Sequence, residues 1–305
     1  MQNLDAGETA SRLPYAALAD AIRDVALARS SGVVQAPPRL ALPLPAKPGA
    51  VLLVMPAAAG DLAITKLVTV PPENPGGGLP TIQGEVVVME ASTGTRLALL
   101  DGATVTARRT AALSLLAARE LATRPGGPLL IVGAGAQGRS HLEAFHEGLG
   151  VSEAYVSART RQSAESLAAH AEALGMDATV VEDPGAALAD ASLVVTATTS
   201  REPVLPDGVT EGTFVAAVGS FEPGAAELPP GLISNATVVV DTMEGAREEA
   251  GDLIQAEAAG AFRWEAATEL EEILRGRDRP TGTVVFKSVG HSLWDLAAAR
   301  TAFPR

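Results

Sequence analysis

The chain has no cysteine in its 305 residues. That excludes disulfides, thiolate catalysis and cysteine-ligated metals together. Histidine is scarce: His141, His146, His170 and His291 are scattered, none stands at a metal-ligand spacing, and no metal is expected. His141 and His146, five residues apart, share a helix face poorly, and all four histidines read as surface or capping residues. Basic residues are outnumbered, 23 Lys and Arg against 36 Asp and Glu, for a net charge of −13. This argues against nucleic acid and anionic membranes as partners, since both demand basic patches. Small anionic ligands respond to local charge and stay open. No apolar run approaches the ~20 residues of a membrane span. Residues 1–12 carry no apolar signal core, so the expected location is the cytoplasm.

What is present is an ordinary globular composition, 47% hydrophobic and 19% charged, at a length that allows two cores. Residues 13–29 form an amphipathic helix pattern on Leu18, Ile22, Val25 and Leu27. Pro37-Pro38 then forces extended backbone. Strands are predicted at 50–57, 62–70, 85–90 and 96–100, the last two joined by a hairpin turn at 91–95. A helix over 104–123 ends at Arg124-Pro125-Gly126-Gly127-Pro128. Beyond that breaker, strands at 129–132, 153–157, 178–181, 192–197, 213–218, 236–241 and 283–287 alternate with helices, including a helix start at Asp183-Pro184. The expected fold is therefore α/β: a Rossmann-type doubly wound parallel sheet over 125–287, beside an α+β domain over 1–124 completed by 288–305 and its helix over 293–302.

The most informative stretch is Leu129-Leu130-Ile131-Val132 followed at once by Gly133-Ala134-Gly135-Ala136-Gln137-Gly138. Chance alone would place three glycines at this spacing about 0.3 times in such a chain, so context decides. A strand before, a helix after and a second strand at 153–157 are the context of a dinucleotide-binding turn. There, Gly133 permits the turn, Gly135 lets backbone approach a pyrophosphate, and Gly138 lets helix pack on strand. An NAD-type site places an acid at the end of the second strand; here that strand ends Ser157-Ala158-Arg159-Thr160-Arg161. Arg159, Thr160 and Arg161 suit a 2′-phosphate, making NADPH the expected cofactor and NADH the alternative. The other reading of the two arginines is plain solvated surface.

Two cations stand where apolar residues are expected. In the strand 62–70, Lys66 shares a face with Leu62, Ile64, Val68 and Val70. Such a lysine either snorkels to solvent or awaits an anion, and in a cleft between domains a substrate carboxylate is the natural one. Arg109 precedes the apolar Ala111-Ala112-Leu113, and its guanidinium can clamp a carboxylate through two hydrogen bonds, with Arg108 as its solvated neighbour. Arg39, after the double proline, is a third cation whose role local pattern leaves open.

Several segments, in order, resemble the ornithine cyclodeaminase/mu-crystallin family: KLVTVPPENPGGGLPTIQG from Lys66, TGTRLALLDGATVTARRTAAL ending at Leu113, GAGAQGRSHLEAF from Gly133, VVTATTSREPVL from Val194, and FKSVGHSLWDLAAA ending at Ala299. The resemblance extends over about 38–299. It implies a homodimer and a carboxylate site at the positions of Arg39, Lys66 and Arg109. It also implies a cofactor lining at Thr110, Ala136, Gln137, Thr196, Ala197, Thr198, Val218, Gly219, Ser288 and Gly290. Cyclodeaminases of the family resemble one another in an aspartate after the strand ending Val218-Gly219. Here Phe221 takes that place, beside Glu222, and a phenyl ring accepts no proton. With Arg159 in place of an acid, the departures point to the reductase branch. The expected activity is NAD(P)H-dependent reduction of a small cyclic imino carboxylate, of the pyrroline-2-carboxylate or piperideine-2-carboxylate type. Lys66 and Arg109 are the catalytic candidates, Lys66 also as a proton donor that an iminium substrate would not need. The alternatives are ornithine cyclodeamination, reductive amination as in a family alanine dehydrogenase, and non-catalytic NADPH-dependent ligand binding.

Overall fold

The computed structural model describes residues 1–45, 47–71 and 82–304. The stretch 72–81 of the first family-like segment lies outside them. The chain divides into two compact units, Met1–Arg109 with His291–Arg305, and Thr110–Gly290.

The first unit holds a six-stranded sheet built from β1 (Gln2–Leu4), β2 (Leu40–Pro43), β3 (Val51–Ala58), β4 (Leu62–Val70), β5 (Gln83–Glu90) and β6 (Arg96–Asp101). Their spatial order is β1-β6-β5-β4-β3-β2. Only the β1–β6 pairing is parallel. Alternation works as the sequence predicts: Leu62, Ile64, Lys66 and Val68 of β4 are buried, while Ala63, Thr65 and Leu67 are not. Two helices, α2 (Tyr15–Arg29) and α10 (Ser292–Ala302), pack on each other, and α10 lies on β3 and β4. The sequence reading passes over β1, β2 and α1 (Ala6–Ser11). All four residues of β2 are exposed, so this edge strand shows no burial alternation, and Pro43 is tolerated there because an edge residue owes the sheet no N–H.

In the second unit, eight strands are all parallel. They are β7 (Leu129–Val132), β8 (Glu153–Ser157), β9 (Asp177–Val180), β10 (Leu193–Thr196), β11 (Phe214–Ala217), β12 (Thr237–Val240), β13 (Thr268–Glu269) and β14 (Val284–Lys287). The order β13-β12-β14-β11-β10-β7-β8-β9 means the chain runs one way from β7 to β9, then restarts on the other side of β7 with β10. The gap between the ends of β7 and β10 is thus the topological switch point, where open α/β sheets take their ligands. β7, β10, β11 and β14 are buried at every residue, as strands covered on both faces must be. Helix α3 (Gly102–Leu121) begins in the first unit and continues in the second. The division therefore places 110–124 and 288–290 with the dinucleotide-type sheet, whereas the sequence reading put them with the α+β domain. The reason is local: Leu115 of α3 lies against Gly148, and Ser114 bonds His141.

His141 corrects the surface reading of the histidines. It is fully buried in α4 (Ala136–Leu149), with Nδ1 2.7 Å from the Gln137 carbonyl and Nε2 2.9 Å from Ser114 Oγ. Burial pushes its pKa down to about 4, so the ring is neutral, donating to the carbonyl and accepting from the hydroxyl. His291 does cap, accepting from the Leu293 N–H at the start of α10.

Candidate functional site

In the first unit β4 carries Lys66 into the core, where it is 2% exposed. Its anion is part of the fold: Asp295 of α10, itself 0% exposed, lies 2.9 Å from Lys66 Nζ. Thr106 Oγ1 stands 3.4 Å from the same nitrogen. Arg109 Nε is 3.4 Å from the Asp295 carboxylate, and Arg109 is buried as well. Desolvation lowers the Lys66 pKa to about 8; Asp295 opposes the fall, while the like charges of Arg109 and Arg39 add to it. Arg39 is half-buried and close enough to act on Lys66 through its charge. The structure thus brings Lys66 and Arg109 together on Asp295, with Arg39 near enough to act through its charge, and adds the carboxylate that the sequence reading missed. The available signal was a lone acid inside the apolar Leu293-Trp294-Asp295-Leu296 turn.

At the switch point of the second unit, each glycine of the turn has its own duty. Gly133 sits at φ +116°, and a Cβ there would run into the Ala197 carbonyl of the loop after β10. At Gly138 a Cβ would collide with the Gly133 carbonyl, so only glycine lets α4 approach the turn. Gly135 is the opposite case, with nothing within 4 Å of a Cβ and no side-chain cap over the first N–H groups of α4. Beside it, Gln137 Oε1 is buried and finds no hydrogen-bond partner among the described residues. An uncapped helix N-terminus next to open space fits a dinucleotide pyrophosphate. Ala136 is exposed at the first turn of α4.

Other predicted lining residues cluster at the same sheet edge. Thr196 ends β10 and Ala197 and Thr198 follow it, Val218 and Gly219 follow β11, and Ser288 and Gly290 follow β14. Asp241 pins the last pair, accepting from Ser288 Oγ at 2.8 Å and from the Gly290 N–H at 2.9 Å. Thr110 is buried in α3, next to Arg109. After β8, Arg159 is exposed, Thr160 caps α5 (Arg161–Ala173), and Arg161 is held 2.8 Å from Glu165. In the loop after β11, Phe221 is 41% exposed, and Glu222 lies 3.5 Å from Arg201. Among the described residues no group of three or more His, Asp or Glu could hold a metal, and no helix is long and apolar enough to cross a membrane.

A parallel sheet with a glycine turn at its switch point defines the class: an α/β protein with a dinucleotide-type unit, joined to a unit that carries a buried cation cluster. The chain belongs to the ornithine cyclodeaminase/mu-crystallin family, whose model matches residues 4–305. It is 41% identical to Delta(1)-pyrroline-2-carboxylate reductase 1 of Burkholderia multivorans, over 98% of this chain and 94% of that protein. The Delta(1)-pyrroline-2-carboxylate reductase of Thermococcus litoralis, solved with NADH and L-proline, superposes with a TM-score of 0.93 at 29% identity, covering 99% of this chain and 96% of that one. An archaeal alanine dehydrogenase, solved as a dimer with bound NAD, gives 0.88 at 28% identity, covering 99% and 94%.

Proposed function

We propose that this protein is an NAD(P)H-dependent reductase of small cyclic imino carboxylates, of the pyrroline-2-carboxylate or piperideine-2-carboxylate type. The observation that carries the reading is the buried cluster of Lys66 and Arg109 on Asp295, with Arg39 beside it, in a chain so similar to a named reductase. Arg109 and Arg39 clamp the substrate carboxylate, and Lys66 adds a third positive charge. Fixing one end of a small ring orients its C=N bond, and orientation of this kind contributes on the order of 7–11 kcal/mol to lowering a barrier. With a pKa near 8, Lys66 also holds a proton that it can yield to the imine nitrogen close to neutral pH. The dinucleotide supplies the hydride that the imine carbon accepts. The chain's own part on that side is the cradle: Gly133, Gly135, Ala136, Gln137 and Gly138 at the pyrophosphate, with Thr110, Thr196, Ala197, Thr198, Val218, Gly219, Ser288 and Gly290 along the cofactor. At its adenosine end, Arg159, Thr160 and Arg161 favour NADPH over NADH. Thr160 keeps its capping bond and Arg161 its glutamates, so Arg159 carries most of the preference.

The working form in this proposal is a homodimer. Leu40 and Leu42 are 60% and 51% exposed, and Leu67 is 40% exposed. By register Leu40, Val54 and Leu67 lie in one cross-strand row, with Leu42 and Leu52 in a neighbouring one, so they form one apolar patch on the sheet face opposite Lys66. A mass of twice the chain in light scattering, halved by Leu42→Arg with Leu67→Arg, is the expected result. A reaction fed by reduced dinucleotide fits the cytoplasm. The test of activity is absorbance at 340 nm with NADPH and cyclic imines, against pyruvate with ammonia, and ammonia release from ornithine. Turnover of ornithine alone overturns the proposal.

A further inference from the structure

At the switch point a single carboxylate gathers both loops. Glu227, fully buried, accepts through Oε1 from the Thr198 N–H at 2.6 Å and the Thr198 hydroxyl at 2.8 Å. Through Oε2 it accepts from the Thr196 hydroxyl at 3.0 Å and the Gly219 N–H at 2.7 Å. Four donors from the ends of β10 and β11 thus converge on one side chain that lies on neither strand. The approach is close: a Cβ at Gly219 would stand 2.5 Å from both Glu227 Oε1 and Thr198 N.

Glu227 is in turn fixed from behind. Asp252, buried at the start of α8 (Gly251–Ala258), accepts from the backbone N–H groups of Glu227 at 2.5 Å and Leu228 at 2.9 Å. Lys287, the last residue of β14, closes the chain of contacts, 2.6 Å from Asp252 Oδ2 and donating to the Ser220 carbonyl at 2.7 Å. A buried ion pair of this kind contributes little net stability compared with apolar packing, so its use is better sought in what it holds still. It holds the carboxyl ends of β10, β11 and β14.

We infer that Glu227 is a positioning residue for the dinucleotide, setting the spacing and direction of the loops that begin at Thr196 and Val218. It touches no reacting atom. Because both threonine hydroxyls donate to it, their oxygens act as acceptors, that of Thr198 already taking the Ser200 N–H at 3.2 Å. This rests on the proposed binding of NAD(P)H to the second unit.

Glu227→Gln keeps the shape but turns one oxygen into an amide NH2. That group must face a backbone N–H of either Thr198 or Gly219, donor against donor. The experiment is calorimetric titration of wild type and variant with NADPH and with NADH, with melting curves to confirm folding. KM values for cofactor and imine are measured in parallel. The expected result is a tenfold or greater rise in the dinucleotide Kd and KM, with the imine KM at saturating cofactor within twofold of wild type. A purely structural role moves the melting point and neither constant. A variant Kd within twofold of wild type overturns the inference, as does an equal rise in the imine KM. Should Glu227→Gln fail to fold, Glu227→Asp, which keeps the charge but draws the carboxylate back from its four donors, decides: a threefold weaker Kd supports the inference and an unchanged one overturns it. If wild type binds neither dinucleotide, the proposed function falls, and this inference with it.

Discussion

Asp295→Asn is the perturbation that most exposes the logic of the cation cluster. The carboxylate is fully buried, 2.9 Å from Lys66 Nζ and 3.4 Å from Arg109 Nε. Removing one member of a buried ion pair ordinarily costs 3–5 kcal/mol, about the range expected if both cations stayed charged. Lys66 has an escape that Arg109 lacks. Its pKa already lies near 8, against the usual 10.5, so shedding the proton at pH 7 costs only about 1.4 kcal/mol. Without Asp295 the charge of Arg109 pushes the Lys66 pKa lower, and the ammonium becomes a neutral amine. In wild type both folded and unfolded chains keep this proton below pH 8. In the variant only the unfolded chain keeps it, so the variant loses about 1.4 kcal/mol of stability for each pH unit of descent. Urea unfolding at pH 8, 7 and 6 measures this directly. The expected result is a gap between wild type and Asp295→Asn that widens as pH falls. Lys66→Met in the same background removes the widening. A gap that stays constant with pH, or one under about 0.5 kcal/mol throughout, refutes the reasoning, since surface changes alone stay within that size.

Other predictions follow from neighbouring groups. For wild type, kcat/KM for the imino acid falls above about pH 8, because the free enzyme loses the Lys66 proton there; a profile flat to pH 9.5 contradicts the assigned role. His141 is neutral when folded, with a pKa near 4 against the usual 6.5, so the unfolded chain takes up a proton first and stability drops as pH falls from 6.5 to 4. That loss reaches about 3 kcal/mol and is absent in His141→Asn, as acid unfolding midpoints will report. Gly135→Asp caps α4 and fills its open N-terminus with negative charge. The melting point is expected to hold or rise while dinucleotide binding falls at least tenfold; unchanged binding contradicts the cradle.

Much of this was legible in the sequence, and the reasons differ by element. The strands β7 and β8 and the strand around Lys66 fall on their predicted residues, because continuous apolar runs and strict alternation are strong signals. Three-residue β1 is too short for any period, and exposed β2 has none to show. Yet α1 had a readable start, a capping box in which Asp5 and Glu8 each accept from the other's backbone N–H. In the site, Lys66 and Arg109 stood out because charge on an apolar face is anomalous. Asp295, Asp252 and Glu227 broke the same rule, but their partners lie 8 to 229 residues away, and no helix or strand period joins them. Acids that hold cations or loops in place emerge only from the fold.

In the proposed reaction, hydride reaches a cyclic imine whose carboxylate is held by Arg39, Lys66 and Arg109. Its most direct test is stoichiometry: NADPH oxidised against cyclic amino acid formed from pyrroline-2-carboxylate, in wild type and Arg109→Ala. The expected result is one proline per NADPH, and a kcat/KM at least a hundredfold lower in the variant, the scale of a lost bidentate carboxylate clamp. Ammonia release from ornithine with no NADPH consumed, or an Arg109→Ala enzyme that reduces the imine at the wild-type rate, would contradict it.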